Sequence, residues 1–295
     1  MIIKYHIHEV SEYINWIYFF HAWGFPPRFA SIADIHGCDS CKAMWLANFP
    51  EDERSKAAEA MQLYKEALRM LNHLDGRYFT HGICKIVPAN SDNDNILIGN
   101  TIFPLLRQQS QKINNDEPFL CLSDFIRPLS TGVKDTIGIF ATTVDKEMEH
   151  LYTDDEYNRM LAQTLCDRLA EATAEKLHET IRRKDWGYAK EEDLSIKDLF
   201  NEKYQGIRPA VGYPSLPDQS VNFILDKLLD MKSIGISLTE NGMMIPHASV
   251  SGLMFSHPES RYFSIGKIDE EQLKDYAKRR GMTIENAKKY LAANL

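Results

Sequence analysis

The segment from Gly206 to Ser220, GIRPAVGYPSLPDQS, constrains this chain more than any other stretch. Proline fixes φ near −65° and removes its own amide donor, while glycine reaches backbone angles closed to other residues, so a run carrying Pro209, Gly212, Pro214 and Pro217 has few conformations to lose. Such a loop is pre-shaped. With one guanidinium (Arg208) and one phenol (Tyr213), it suits a small zwitterionic ligand. Arg208 would fork onto a carboxylate while main-chain groups of Ala210 and Gly212 meet polar edges. A proline-rich surface connection is the competing reading of the same residues.

Bulk properties bound the rest. A chain of 295 residues with 44% hydrophobic content can bury a substantial core. No apolar run reaches the roughly 20 residues needed to cross a bilayer, and MIIKYHIHEV at the start alternates polar and apolar residues, unlike a secretion signal. The expected location is cytoplasmic, with no membrane partner. A net charge of −8 argues against a phosphate-backbone partner, so no nucleic acid is expected either.

The five cysteines fit a reducing compartment better than a disulfide framework. Cys38 and Cys41 form a CxxC beside His36, but zinc normally takes four ligands and no second pair follows. The expectation is two free thiols on a surface insertion and no metal.

Along the chain, an aromatic-rich N-terminal part runs to about Pro50. A helix pattern follows from Glu51, with Ala57, Ala60, Met61, Tyr64, Ala67, Leu68 and Leu71 at three- and four-residue spacing. Short apolar runs at Ile83–Val87, Ile96–Gly99, Phe119–Leu122 and Thr136–Thr142 then predict antiparallel strands separated by turn-rich stretches. A long helix is predicted from about Asp155 to Lys184, with Leu161, Leu165, Leu169 and Ile181 as its apolar stripe. Further strands are predicted near Ile234–Leu238 and Tyr262–Lys267. Two helices close the chain, parted by Gly281 as a stop and Thr283 as an N-cap. With no repeat and no low-complexity linker, residues 1–295 read as one α+β unit. No strand leads into a GxGxxG turn, so a nucleotide-like ligand would be bound outside the doubly wound Rossmann fold.

Four segments in order, INWIYFFHAWGF (Ile14–Phe25), DRLAEATAEKLHETIR (Asp167–Arg182), YQGIRPAVGYP (Tyr204–Pro214) and LTENGMMIPHASVSGLMFSHPESRYFSIGKI (Leu238–Ile268), together make the chain resemble the S-adenosylmethionine-binding activation domain of cobalamin-dependent methionine synthase. The resemblance covers nearly the whole chain and implies a curved antiparallel sheet with packed helices. In the family this domain ends a larger enzyme; here it would stand alone.

The resemblance also implies residue roles. Arg208, Ala210, Gly212 and Tyr213 fall on the family's ligand loop, Glu171 on an acidic ligand residue in the preceding helix, and Tyr262 on a tyrosine near the methyl-donor end. Asn15 stands where the family has an aspartate, which keeps hydrogen bonding and loses a charge. Asp167 lies four residues before Glu171, on the same helix face, where it would meet the cobalamin-bearing module. His178 continues that stripe, and His247 and His257 sit beside prolines as structural histidines. Ser249 and Ser251 lack the Gly-x-Ser-x-Gly elbow of a hydrolase.

The implied activity is reductive methylation of cob(II)alamin. S-adenosylmethionine is the methyl donor, the cobalamin is carried by a separate methionine synthase chain, and a flavodoxin-like reductase supplies the electron. Reactivation of another corrinoid methyltransferase, or a non-catalytic S-adenosylmethionine-sensing module, would present the same loop. Asp34-Ile35-His36 imitates the start of the D-x-H-x-x-G cobalamin motif, but Asp39 takes the glycine's place, so tight binding of cobalamin by this chain itself is not expected.

Overall fold

The computed structural model describes residues 1–110 and 117–295. The N-terminal half contains β1 (Ile2–His6), α1 (Ile7–Ser11), α2 (Trp16–Ala22), α3 (Asp39–Ala47), α4 (Arg54–Leu74) and β2 (Phe79–Asp92). Next come β3 (Asn95–Ile98), β4 (Thr101–Pro104), β5 (Asp135–Val144), α5 (Glu156–Thr180) and α6 (Ile196–Phe200). The chain ends with α7 (Asn222–Leu229), β6 (Ser237–Leu238), β7 (Met244–Ile245), β8 (Ser249–Met254), α8 (Glu270–Arg280) and α9 (Ile284–Tyr290).

The main sheet is antiparallel and curved, in the order β4-β3-β2-β5-β8, with β1 on the outer part of β2. Between β2 and β8 lies β5, whose alternating side chains divide the interior in two. Ile137, Ile139 and Ala141 enter one core with Leu225 and Leu229 of α7, whereas Phe140 and Val144 enter another with Leu161, Leu165, Leu169 and Leu177 of α5. Covered on both faces, β5 is buried from Ile137 to Val144, Thr142 and Thr143 included. The N-terminal aromatics, among them Phe20, Phe25, Phe29, Trp45 and Phe49, pack edge to face or stacked in the α5-side core.

Several sequence expectations hold. Helix α5 starts where Asp155 accepts a hydrogen bond from the Asn158 amide at 3.0 Å, and it runs on through a π-turn, Ile181–Asp185. Gly281 ends α8 in a left-handed conformation and the Thr283 side chain caps α9. Other expectations need correction. Phe119–Leu122 is not a strand; it forms an isolated antiparallel bridge, Cys121 to Arg107, with the Gln108 amide donating to the Leu120 carbonyl, before a 3-10 turn at Leu122–Phe125. Tyr262–Lys267 is also irregular, because its side chains and amides serve the Gly206–Ser220 loop instead of a sheet. Only Ser237–Leu238 of the predicted Ile234–Leu238 strand is extended, paired with Met244–Ile245.

The unpredicted strand β8 is what positions the loop. Ile207 exchanges both backbone hydrogen bonds with Phe255, at 3.1 and 2.9 Å, Leu253 donates to Pro209 at 3.1 Å, and Val211 donates to Ser251 at 2.9 Å. The proline loop therefore lies along the free edge of β8 as a short extra strand. The approach is close. A Cβ on Gly252 would stand 2.2 Å from the Pro209 carbonyl oxygen, and one on Gly206, whose φ is +89°, would stand 2.3 Å from that of Phe255. Among the described residues no helix is long and apolar enough to cross a membrane.

Candidate functional site

A cleft of about 540 Å³ opens between α5, the Gly206–Ser220 loop, α2 and the segment around Tyr262. Its wall includes Asn15, Glu171, Arg208, Ala210, Tyr213 and Tyr262, so six residues singled out in the sequence share one cavity. Gly212 and Asp167 are not part of that wall.

Arg208 anchors it. The side chain is 7% exposed, its Nη2 pairs with Glu175 Oε1, and its Nε is buried with no hydrogen-bond partner among the described residues. Burial opposes the charge, but Glu175, aided by Glu171, outweighs it and keeps the guanidinium protonated. The expected free fork is thus half committed: one arm holds Glu175 and an inner N–H awaits an acceptor. An unpaired buried donor is costly, so this is where a ligand carboxylate or carbonyl would be stabilised.

Glu175 was not singled out from the sequence. It lies one turn beyond Glu171, which lies one turn beyond Asp167, and that four-residue period was the available signal. In a helix of unknown surroundings the same period describes a solvated acidic face.

The backbone of the loop contributes through its pairing. Ala210 sits opposite Gly252 as a non-hydrogen-bonded pair of the antiparallel bridge, so its amide and carbonyl point away from β8. The Ala210 carbonyl accepts from the Tyr213 amide at 3.3 Å, and its own amide has no partner among the described residues. Gly212 shapes the loop. Its φ is +87° and its amide donates to Leu216 at 2.9 Å, which turns the chain and brings Tyr213 back over the cleft.

The tyrosines close the arrangement. Tyr213 donates its hydroxyl to Glu171 Oε1 at 2.5 Å. Burial, reinforced by the Glu171 charge, raises the Tyr213 pKa, so the phenol remains a donor. Tyr262 accepts the Arg208 amide at 2.9 Å and lies 3.2 Å from the Tyr204 hydroxyl. Burial raises its pKa as well. Asn15 uses its side-chain oxygen to cap α2, accepting the Ile17 amide at 3.1 Å, while lining the opposite wall.

Asp167 lies one turn before Glu171 on α5, outside the cavity lining, with Oδ1 3.9 Å from Nδ1 of His247, and burial raises its pKa. His247 is exposed, and its amide donates to Glu149. Behind the cleft, His178 is fully buried, edge-on to Tyr204 at 5.0 Å, with neither ring nitrogen hydrogen-bonded among the described residues. Desolvation, then the charges of Arg182 and Arg208, push its pKa well below the ordinary value and hold it neutral. His257 accepts the Glu259 amide at 3.2 Å in a turn. The hydroxyls of Ser249 and Ser251 are occupied by Pro246 and Asn222, at 2.7 and 2.5 Å.

The cleft therefore offers a cation with a free inner donor, a free backbone amide, a carboxylate under a phenol, and apolar walls at Leu199 and Phe263. That set fits an amino-acid-like ligand carrying a second, cationic or aromatic, part. A family model for the activation domain of vitamin B12 dependent methionine synthase matches residues 6–281. A solved structure described as the MetH reactivation domain bound to AdoHcy aligns with a TM-score of 0.87 and 35% identity, over 100% of this chain and 90% of that one.

Proposed function

The chain belongs to the activation-domain family of vitamin B12-dependent methionine synthase, and from that premise we propose that it binds S-adenosylmethionine in the Arg208–Glu171 cleft and presents the methyl group to a corrinoid held by a partner. The observation that carries this reading is the convergence of Arg208, Ala210, Glu171, Tyr213 and Tyr262 on one cavity. The ligand carboxylate would meet Arg208 Nε and the Ala210 amide. Glu171 would face the ammonium or sulfonium, whose positive charge favours the ionised carboxylate. The AdoHcy in the similar structure supports a ligand of this class.

The chemistry asks little of the protein's acids and bases. The partner's corrinoid would supply the nucleophile once a one-electron donor of the flavodoxin class had reduced it, and the methyl group would pass to it from the sulfonium held by this chain as the carbon–sulfur bond breaks. The sulfonium keeps the bonding pair and leaves as neutral S-adenosylhomocysteine. No proton moves at the methyl group. This chain contributes position: a fixed loop, a fixed helix and a tyrosine at the open end of the cleft. The cobalamin belongs to a cobalamin-bearing methionine synthase chain on which this one acts in trans, and Asp167, beside His247, forms part of the surface that receives it.

Incubating the protein with a methionine synthase lacking its own activation domain, in the cob(II)alamin state, tests the reading. Methylcobalamin should form only when this chain, S-adenosylmethionine and reductant are all present. Tight S-adenosylmethionine binding with no methylation of that enzyme or of any other corrinoid protein would replace the reactivase reading by a sensor.

A further inference from the structure

Remote in sequence from the cleft loop and α5, the connection between the 3-10 turn Pro27–Asp34 and α3 gathers His36, Cys38 and Cys41. One imidazole nitrogen and the two sulfurs lie within 4.8 Å of one another. The local sequence explains the cluster. Cys38 is extended, with φ −73° and ψ 156°, and serves as the N-cap of α3, so the first helical turn returns Cys41 above it. The Cys41 amide donates to the Cys38 sulfur at 3.3 Å and the sulfurs are 2.9 Å apart.

An amide-to-sulfur bond across a CxxC turn favours a thiolate, and two thiolates with an imidazole are a soft donor set matched to zinc. The other cysteines, Cys84, Cys121 and Cys166, are buried and do not belong to this group. We propose that His36, Cys38 and Cys41 bind one thiophilic divalent cation, Zn²⁺, through three protein ligands with water in the fourth tetrahedral position. The sequence count of two cysteines fell short of four ligands, but three protein ligands and a water are a stable zinc arrangement. Two sulfurs at Zn–S distances of about 2.3 Å in a tetrahedron stand ~3.8 Å apart, so the cysteines must separate by about 0.9 Å. Cys38 is exposed and free to make that rotation.

Cobalt(II) added to the full chain, kept reduced by a phosphine, reads the site without reference to S-adenosylmethionine. One equivalent should produce visible bands of tetrahedral Co²⁺ and a near-ultraviolet thiolate-to-cobalt charge-transfer band, both abolished by Zn²⁺. Cys38→Ser and Cys41→Ser, checked by circular dichroism, should each remove most of the charge-transfer band, and His36→Ala should weaken binding by about tenfold or more. His8→Ala should leave the charge-transfer band intact, because the separate His6, His8 and Asp75 group holds no sulfur. Absence of the bands in the reduced wild-type protein overturns the proposal. So does a charge-transfer band that survives both cysteine substitutions, or a pair that closes to a disulfide and retains no metal when reduced.

Discussion

The Tyr213 hydroxyl and Glu171 Oε1 meet at 2.5 Å across the cleft, linking the proline loop to α5. A carboxylate held by a phenol on one side has its other oxygen to offer. If that oxygen faces a sulfonium, Glu171→Gln should distinguish two ligands that differ by one methyl group and one charge. S-adenosylmethionine should lose roughly two- to tenfold in affinity, in line with a partly exposed charge pair of about 0.4–1.4 kcal/mol, while neutral S-adenosylhomocysteine changes little. Calorimetric titration of both ligands against both proteins measures this. Equal losses for the two would place the positive sulfur away from Glu171.

Arg208 and Glu175 make a second, deeper link between the same walls, and the guanidinium Nε is left over inside. Removing a charge-assisted bond of this kind costs roughly 1.5–3 kcal/mol, so Arg208→Ala should weaken S-adenosylmethionine by about ten- to a hundredfold. Lysine keeps the charge and lacks the planar fork, so Arg208→Lys should recover only part of the loss. Glu175→Gln should cost less than Arg208→Ala, since it loosens the guanidinium without deleting it. Unchanged binding by a folded Arg208→Ala protein removes the loop from the site.

The loop's position depends on a backbone contact. A Cβ at Gly252 would lie 2.2 Å from the Pro209 oxygen and 3.0 Å from the Ala210 Cα, and neither partner is a flexible side chain. Gly252→Ala should push the Ile207–Val211 segment off β8, destabilise the protein by about 1–3 kcal/mol and impair ligand binding together. Thermal melts and titrations on the same sample check both. Full stability with full affinity would show that the loop tolerates the shift.

What the sequence disclosed follows from where its signals were local. Gly281, Thr283 and Asp155 announced helix ends because caps act within a few residues. The stiffness of Arg208–Pro214 was equally plain. Its role as an edge strand was not, since prolines argue against strands and the partner β8 carries Ser249, Ser251 and Gly252 where apolar alternation would mark a strand. Gly252 there signalled a close backbone, not a break. Phe119–Leu122 failed in the opposite sense: a short apolar run has no fixed preference until packing decides it. Glu175 was hidden because its meaning depends on Arg208, 33 residues away in sequence.

His178 gives the fold an acid sensitivity. Its pKa falls well below the ordinary 6.5 on folding, through desolvation first and then Arg182 and Arg208. Below 6.5 the unfolded chain binds this proton and the folded chain does not, so the stability it contributes is complete above 6.5 and is lost as the pH falls. The slope reaches about 1.4 kcal/mol per pH unit for one proton. His178→Phe should flatten the stability curve between pH 6.5 and 5 relative to the parent, whatever its effect at pH 8. Denaturant melts across that range decide it, and parallel curves for the two proteins refute a buried neutral imidazole.

Asn15 tests whether the cleft lacks a charge its ligand would use. Its oxygen caps α2 through the Ile17 amide at 3.1 Å, and aspartate caps as well as asparagine, so Asn15→Asp should leave the helix intact and add one carboxylate to the wall. Of the three glutamates on the cleft wall, Glu175 has its charge offset by Arg208, Glu171 shares one oxygen with the Tyr213 phenol, and Glu202 is the third. Asn15→Asp should therefore tighten S-adenosylmethionine by about two- to fivefold at low salt, as expected for 0.4–1 kcal/mol at a partly exposed site, with most of the gain lost near physiological ionic strength. S-adenosylhomocysteine, still carrying an ammonium, should gain less. If titrations at two salt concentrations show binding unchanged or weaker, the added carboxylate is repelled by Glu171, and that residue already meets the ligand's positive charge without help from Asn15.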